Sequence, residues 1–323
     1  MARRFVCSVA LLALVCGCGS KAADHISRAR NNQFEKKPQA ALAEYRLAVD
    51  ALERDPSPEA AVYRARALKG AADVYDLDLR DYKRAVEVFR ELIQDCPEAP
   101  ESLDARIRLA TILKEQFRDL RGAIKELTAA LQRNPPQSAE LRYEVAKLYF
   151  ELGDYSQAEI ESREVAKRYE TSAFVDDALF LCGQSLSMEG KREESLKVLQ
   201  ELATRFPESE FYPHALFEMG KQYAEAGDDK RAIDVYVKAL EKHPQPDAVQ
   251  AAIARLRKRI ISTTPEQVGR QEAFDHTENG EKVKAAAIAA QKNGEKGSAI
   301  GGGKTSVEAA GGSAEEAVKD YGD

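Results

Sequence analysis

Three glycines set the frame of this sequence: Gly153, Gly190 and Gly227 stand 37 residues apart. The same interval separates Ala146, Gly183 and Gly220; Tyr149, Leu186 and Tyr223; Ala158, Ser195 and Ala232; and Val165, Leu202 and Ala239. Five positions in phase over three copies make a repeat. A repeat of this length folds as copies of one small unit stacked in a row, each packing on its neighbours, and not around a single shared core.

Each copy carries two amphipathic segments flanking its glycine. In the second copy Leu179, Cys182, Gly183 and Leu186 fall at i, i+3, i+4, i+7, and Ser195, Val198, Leu199 and Leu202 do the same beyond Gly190. The unit is therefore predicted to be a helical hairpin with one apolar stripe per helix. The glycine suits a turn that leaves the first helix through a left-handed conformation. Small residues at Gly183, Gly220, Ala158 and Ala232 imply that two helices meet there backbone to backbone, and Pro207 and Pro244 end the second helices.

Small residue, aromatic, glycine, small residue and terminal proline at these offsets resemble the tetratricopeptide (TPR) family, most fully in "LFEMGKQYAEAGDDKRAIDVYVKALEKHP". The family's first-helix Trp is absent, its place taken by Arg142, Leu179 and Leu216, and the pitch of 37 exceeds the family's usual ~34. Connections of the "TRFPESEFYPHA" kind resemble those of bacterial envelope TPR lipoproteins. Weaker copies extend the phase toward the N-terminus: Ala72, Tyr75, Tyr82, Ala85, Phe89, Leu92 and Pro97 fit one, and Ala110, Leu113, Leu120, Ala123 and Pro135 another. Both lack the turn glycine and hold one extra residue between their helices. A first, degenerate copy lies between Asp24 and Arg54, which brings the expected total to about six. The resemblance implies an all-α, right-handed TPR α-solenoid over residues 18–260.

The segment Asp247 to Ile260 reads as a capping helix, with Val249, Ile253, Leu256 and Ile260 on one face. From Ser262 the composition changes: the last 62 residues have no Leu and hold 10 of the 19 Gly. Such a stretch buries too little to offset the entropy of ordering, so residues 261–323 are expected to form a disordered tail, with a transient helix at Glu281 to Lys292.

At the other end, residues 1–17 read as a bacterial export signal, in which Arg3 and Arg4 precede an apolar run, Phe5 to Val15, too short to span a bilayer. Val15-Cys16-Gly17-Cys18 resembles a lipobox, which implies that Cys18 becomes the lipidated mature N-terminus; cleavage after Ala22 or Ala23 is the alternative. Gly19, in place of an Asp, points to the outer membrane. Several acyl chains anchor durably where one is marginal. Loss of Arg3 and Arg4 leaves 46 basic against 54 acidic side chains, a net −8 from the full chain's −6, which does not suit nucleic acid. Of five Cys, Cys96 and Cys182 remain, in distant repeats and beyond disulfide reach; the first reads as a loop thiol and the second as a small core residue.

No catalytic constellation is discernible. "GSAIGGGKTS" approaches a phosphate-binding loop, but Ser298 stands where that loop requires Gly. The histidines at 25, 214, 243 and 276 have no ligand spacing, so neither metal, cofactor nor small-molecule substrate is expected. Tyr143, Phe180 and Phe217 do share the period. In the TPR family this offset and those four, seven and eight residues further on point into the concave groove, which here implicates Lys147, Gln184 and Lys221, with Phe150 and Met188 beyond. Such a ladder suits an extended peptide with apolar anchors and some negative charge; alternatively the rings tuck into the core. The Asn of the family's carboxylate clamp is missing.

The resemblance, to the TPR lipoprotein of the β-barrel assembly machinery, the periplasmic TPR cell-division coordinator and the type IV pilotins, implies a non-catalytic scaffold on the periplasmic face of the outer membrane. It would bind periplasmic or outer-membrane proteins in envelope assembly. A soluble periplasmic adaptor for cell-wall synthesis or division, and an accessory subunit of a peptidoglycan or polysaccharide enzyme, are the alternatives.

Overall fold

The computed structural model describes residues 21–263, in which there is no strand. Residues 1–20 and 264–323, and with them the expected signal peptide, Cys18 and most of the expected tail, lie outside the described residues. Twelve described helices pair as consecutive hairpins: α1 (residues 21–34) with α2 (Pro38–Ala51), α3 (Pro58–Asp73) with α4 (Tyr82–Asp95), and α5 (Pro100–Phe117) with α6 (Leu120–Leu131). They are followed by α7 (Ser138–Glu151) with α8 (Tyr155–Arg168), α9 (Val175–Met188) with α10 (Arg192–Arg205), and α11 (Tyr212–Glu225) with α12 (Asp229–Leu240), and the chain continues into α13 (Pro246–Thr263). Helices neighbouring in sequence pack together, and first helices of successive hairpins also meet, α3 with α5 and α7 with α9. The fold is the helical-repeat solenoid implied by the 37-residue period.

The turns show how the pattern is built. Gly153, Gly190 and Gly227 have φ of 77°, 76° and 81°. The next N–H in each case, from Asp154, Lys191 and Asp228, donates at 2.9 Å to the carbonyl five residues back, on Tyr149, Leu186 and Tyr223. This is the closure that a left-handed residue permits at a helix C-terminus. In the α3–α4 and α5–α6 hairpins the left-handed position is held by Arg80 and Arg118, both at φ 54°. The closing bond there spans six residues, Asp81 to Tyr75 at 2.7 Å and Asp119 to Leu113 at 2.9 Å. The extra residue noted in the sequence thus sits at the end of the first helix, and in α3 it makes a π-helical turn, Val74–Asp78. Asp81, Asp119, Asp154 and Asp228 then cap the second helices, each accepting from the N–H three residues on.

Inside the hairpins one expectation needs correcting. Gly183 and Gly220 do not bring backbones together: a Cβ at Gly183 would lie 2.5 Å from Leu199 Cδ2, and one at Gly220 would lie 2.6 Å from Tyr236 Cε1. A large side chain of the second helix fills the notch left by the missing Cβ. Ala158 and Ala232 are fully buried. Successive hairpins are joined by a buried chain of hydrogen bonds, Gln222 Nε2 donating to Ser195 Oγ at 2.8 Å and Ser195 Oγ to the Gly183 carbonyl at 2.7 Å. Val249, Ile253 and Leu256 of α13 are buried in the same apolar cluster as Tyr236 and Ala239 of α12.

Cys182 is buried in the core. Cys96, read from the sequence as a loop thiol, is also buried; it follows α4 directly, and its thiol lies 3.6 Å from the carbonyl of Ala61.

Candidate functional site

α7 packs on α9, and a ring of α9 lies near one of α11, so the three first helices lie side by side. Tyr143, Phe180 and Phe217 lie at equivalent places of α7, α9 and α11, each half-buried. None stands alone. Phe174, just before α9, lies 6.0 Å from the Tyr143 ring, and Phe211, just before α11, stacks on Phe180 at 5.1 Å and 25°. Phe217 is flanked by Tyr236 at 5.3 Å and His243 at 5.1 Å. Each rung thus packs against a ring of the following linker, Phe174, Phe211 or His243, and remains half-exposed.

The rungs are linked further. Phe180 lies 6.2 Å from His214, and His214 lies 5.0 Å from His243, so five rings make a strip over the end of the stack. Burial and the neighbouring His214 push the His243 imidazole below its usual range. At the Tyr143 rung the partner is Asp177, one period before His214. Burial, then the Asp177 carboxylate that receives its hydroxyl, push the Tyr143 phenol above its usual range. Burial, then the neighbouring Asp176, raise the Asp177 carboxyl.

Of the flanking polar residues, Lys147 is exposed, with its Nζ 5.1 Å from the Tyr143 ring centre and paired with Glu144, which also receives Lys114 at 2.6 Å. Lys221 pairs with Glu218 at 3.6 Å, and Gln184 is half-buried. Phe150 packs edge-on to Tyr155 at 5.2 Å, at the turn between α7 and α8. Met188, at the end of α9, is 58% exposed. The structure therefore gathers Tyr143 with Lys147, and Phe180 with Phe217 through the two histidines, and sets Phe150 and Met188 at the hairpin-turn edge.

In the sequence His214 and His243 stand out only as histidines without ligand spacing, and Phe174, Phe211 and Asp177 do not stand out. A signal existed: Phe174 and Phe211 share the period, as do Asp177 and His214. It was obscured because Phe174 and Phe211 lie in linkers, where periodicity carries no helical face.

Several cavities lie elsewhere among the described residues. One of about 230 Å³ sits between α5 and α7, lined by Ile107, Thr111, Lys114, Glu144 and Leu148 among others. Another of about 480 Å³ lies among α2, α3 and α4, lined by Leu42, Tyr45, Val49, Tyr75 and Val88 with several charged residues. Among the described residues no group of three His, Cys, Asp or Glu is placed to hold a metal ion, and no helix is long and apolar enough to cross a membrane.

The family model described as "Tetratricopeptide repeat" matches residues 177–209 and 214–246, which are the α9–α10 and α11–α12 hairpins. No curated protein is significantly similar in sequence. Among solved structures, the Naa15/Naa10 complex bound to HypK-THB matches at TM-score 0.52 and 15% identity over 80% of this chain, which spans 37% of the length of that one. YrrB, described as "a TPR protein with an unusual peptide-binding site", matches at TM-score 0.47 and 16% identity over 64% of this chain and 96% of its own. PilF of Pseudomonas aeruginosa matches at TM-score 0.41 and 15% identity over 73% and 99%. The fold is that of a tetratricopeptide solenoid, and two of its hairpins, α9–α10 and α11–α12, are tetratricopeptide repeats in sequence as well.

Proposed function

We propose that this chain is a non-catalytic scaffold, held by lipid on Cys18 at the periplasmic face of the outer membrane, that binds an extended segment of an envelope protein along its first-helix face. The observation that carries the binding part is the strip of half-buried rings at Tyr143, Phe180 and Phe217, continued by Phe211, His214 and His243. Half-buried rings held against neighbouring rings are rigid. They offer apolar area at small entropic cost, which is what an anchor for an extended peptide requires. The anchoring part is supported by the sequence around Cys18, where the lipobox-like Val15-Cys16-Gly17-Cys18 follows a short apolar run.

Two experiments test the halves separately. Detergent partitioning of the wild type against Cys18→Ala is expected to move the variant to the aqueous phase, and equal partitioning refutes the lipid anchor. Crosslinking in intact envelopes is expected to capture a discrete partner that is lost in Phe180→Ala/Phe217→Ala while circular dichroism shows the helices retained. A partner kept by that variant places recognition elsewhere.

A further inference from the structure

We infer that the segment accepted by the α7–α9–α11 face is basic, carrying Arg or Lys between its apolar anchors; this rests on the groove reading proposed above and names the chemistry of its ligand. The adjacent amines, taken alone, suggest a ligand with negative charge, and the geometry points the other way. α7, α9 and α11 together contain seven carboxylates and three cations. Arg142 turns toward Glu161 of α8, Lys147 is held by Glu144, and Lys221 by Glu218. Every cation of these three helices is already ion-paired.

Of the carboxylates, Glu144, Glu151, Glu218 and Glu225 are ion-paired as well, to Lys114 and Lys147, Arg118, Lys221 and Arg192, and the pair at the start of α9 is not. Asp176 and Asp177 open α9 between the Tyr143 and Phe180 rungs, and neither has a cationic partner among the described residues; Asp177 accepts from the Tyr143 hydroxyl and from its own backbone N–H. Burial first, and the neighbouring Asp176 second, raise the Asp177 carboxyl. The pair precedes Phe180 by four and three residues on the same helix, which sets them on one face with it, and Phe211 stacks on Phe180; aromatic faces attract ammonium and guanidinium groups. An incoming Arg or Lys thus gains a carboxylate pair and an aromatic face in one place, while a Glu there meets repulsion that suppresses the wrong partner.

The charge is local to this half of the stack. α3 and α5 hold five carboxylates against six cations and carry no aromatic at the rung position, which is Lys69 in α3 and Ile107 in α5.

The test uses the detergent-solubilised full-length chain and three fluorescent peptides that share their leucine positions and carry Arg, Ser or Glu at the others, read by anisotropy. The Arg peptide is expected to bind about tenfold more tightly than the Glu peptide at low salt, with the difference shrinking as salt rises. Asp176→Asn/Asp177→Asn is expected to bring the Arg peptide to the level of the Ser peptide. Should that variant fold poorly, the salt dependence of the unaltered chain decides. Glu binding as tightly as Arg, or an Arg preference that survives high salt, overturns the inference. Equal binding of all three peptides, abolished by Phe180→Ala, removes the charge assignment and leaves the groove standing. No binding, or binding indifferent to Phe180→Ala, removes both.

Discussion

Leu199 of α10 lies directly on Gly183 of α9, so close that a Cβ on the glycine would come within 2.5 Å of Leu199 Cδ2 and 2.7 Å of its Cγ. Leu199 is itself fully buried and has nowhere to retreat. Gly183→Ala gains about 1 kcal/mol of helix propensity and meets an overpacking penalty of about 1–3 kcal/mol. The expected net effect in urea unfolding is a loss of stability. A stabilised variant would show that the α9–α10 interface is looser than this packing.

Arg118 occupies a left-handed conformation that glycine holds in three other hairpins. Its only ion pair, with Glu151 at 3.8 Å, is exposed and contributes little. A non-glycine residue in that region costs about 1–2 kcal/mol, partly offset by the greater chain entropy glycine loses on folding. Arg118→Gly is expected to raise stability by about 0.5–1 kcal/mol, measured as a higher urea midpoint at unchanged slope.

Asp76 lies in the π turn at the end of α3 with its side chain 1% exposed; its Oδ2 pairs with Arg108 of α5, and its Oδ1 has no hydrogen-bond partner among the described residues. Removing the guanidinium strands a buried charge. Arg108→Met is expected to cost about 2–4 kcal/mol, at the lower end of what breaking a buried pair costs because Arg108 is 42% exposed. Adding Asp76→Asn is expected to recover part of that loss, and a double-mutant cycle with no coupling would contradict the pairing.

Burial pushes the Cys182 thiol up to about 11, from about 9 for a free thiol. Below pH 9 the thiol is protonated in both folded and unfolded chains and has no effect on the slope. Between pH 9 and 11 the unfolded chain ionises first and binds fewer protons, so stability falls as pH rises, by about 2–3 kcal/mol in all. Cys182→Ala is expected to flatten that alkaline slope. The same burial predicts that native Cys182 resists thiol reagents near pH 8 and reacts once the chain is unfolded.

The sequence was informative about whatever recurs. Packing positions such as Ala146, Gly183 and Gly220 repeat because every hairpin must bury the same notch, and Gly153, Gly190 and Gly227 repeat because every turn needs the same left-handed residue. Hence the helical hairpins and the phase of the rungs Tyr143, Phe180 and Phe217 are visible in one dimension. Position in the repeat also tells that these rings are equivalent, one on each of three successive first helices.

Tertiary structure decided what depends on contacts between unlike parts. The linkers fold back so that Phe174, Phe211 and His243 cover the rungs, and the helical period carries no information about a linker's path. Arg80 and Arg118 adopt a conformation their residue type disfavours, because the closing hydrogen bonds to Tyr75 and Leu113 outweigh the local cost. Leu199 on Gly183 is likewise a choice between helices: sequence shows a small residue and a large one sixteen positions apart, and only their packing shows that one fills the space the other leaves. The pairing of Lys147 and Lys221 with their own glutamates belongs to the same class. Charge can be counted along a chain, but which charges are left for a ligand is settled by which of them meet in space.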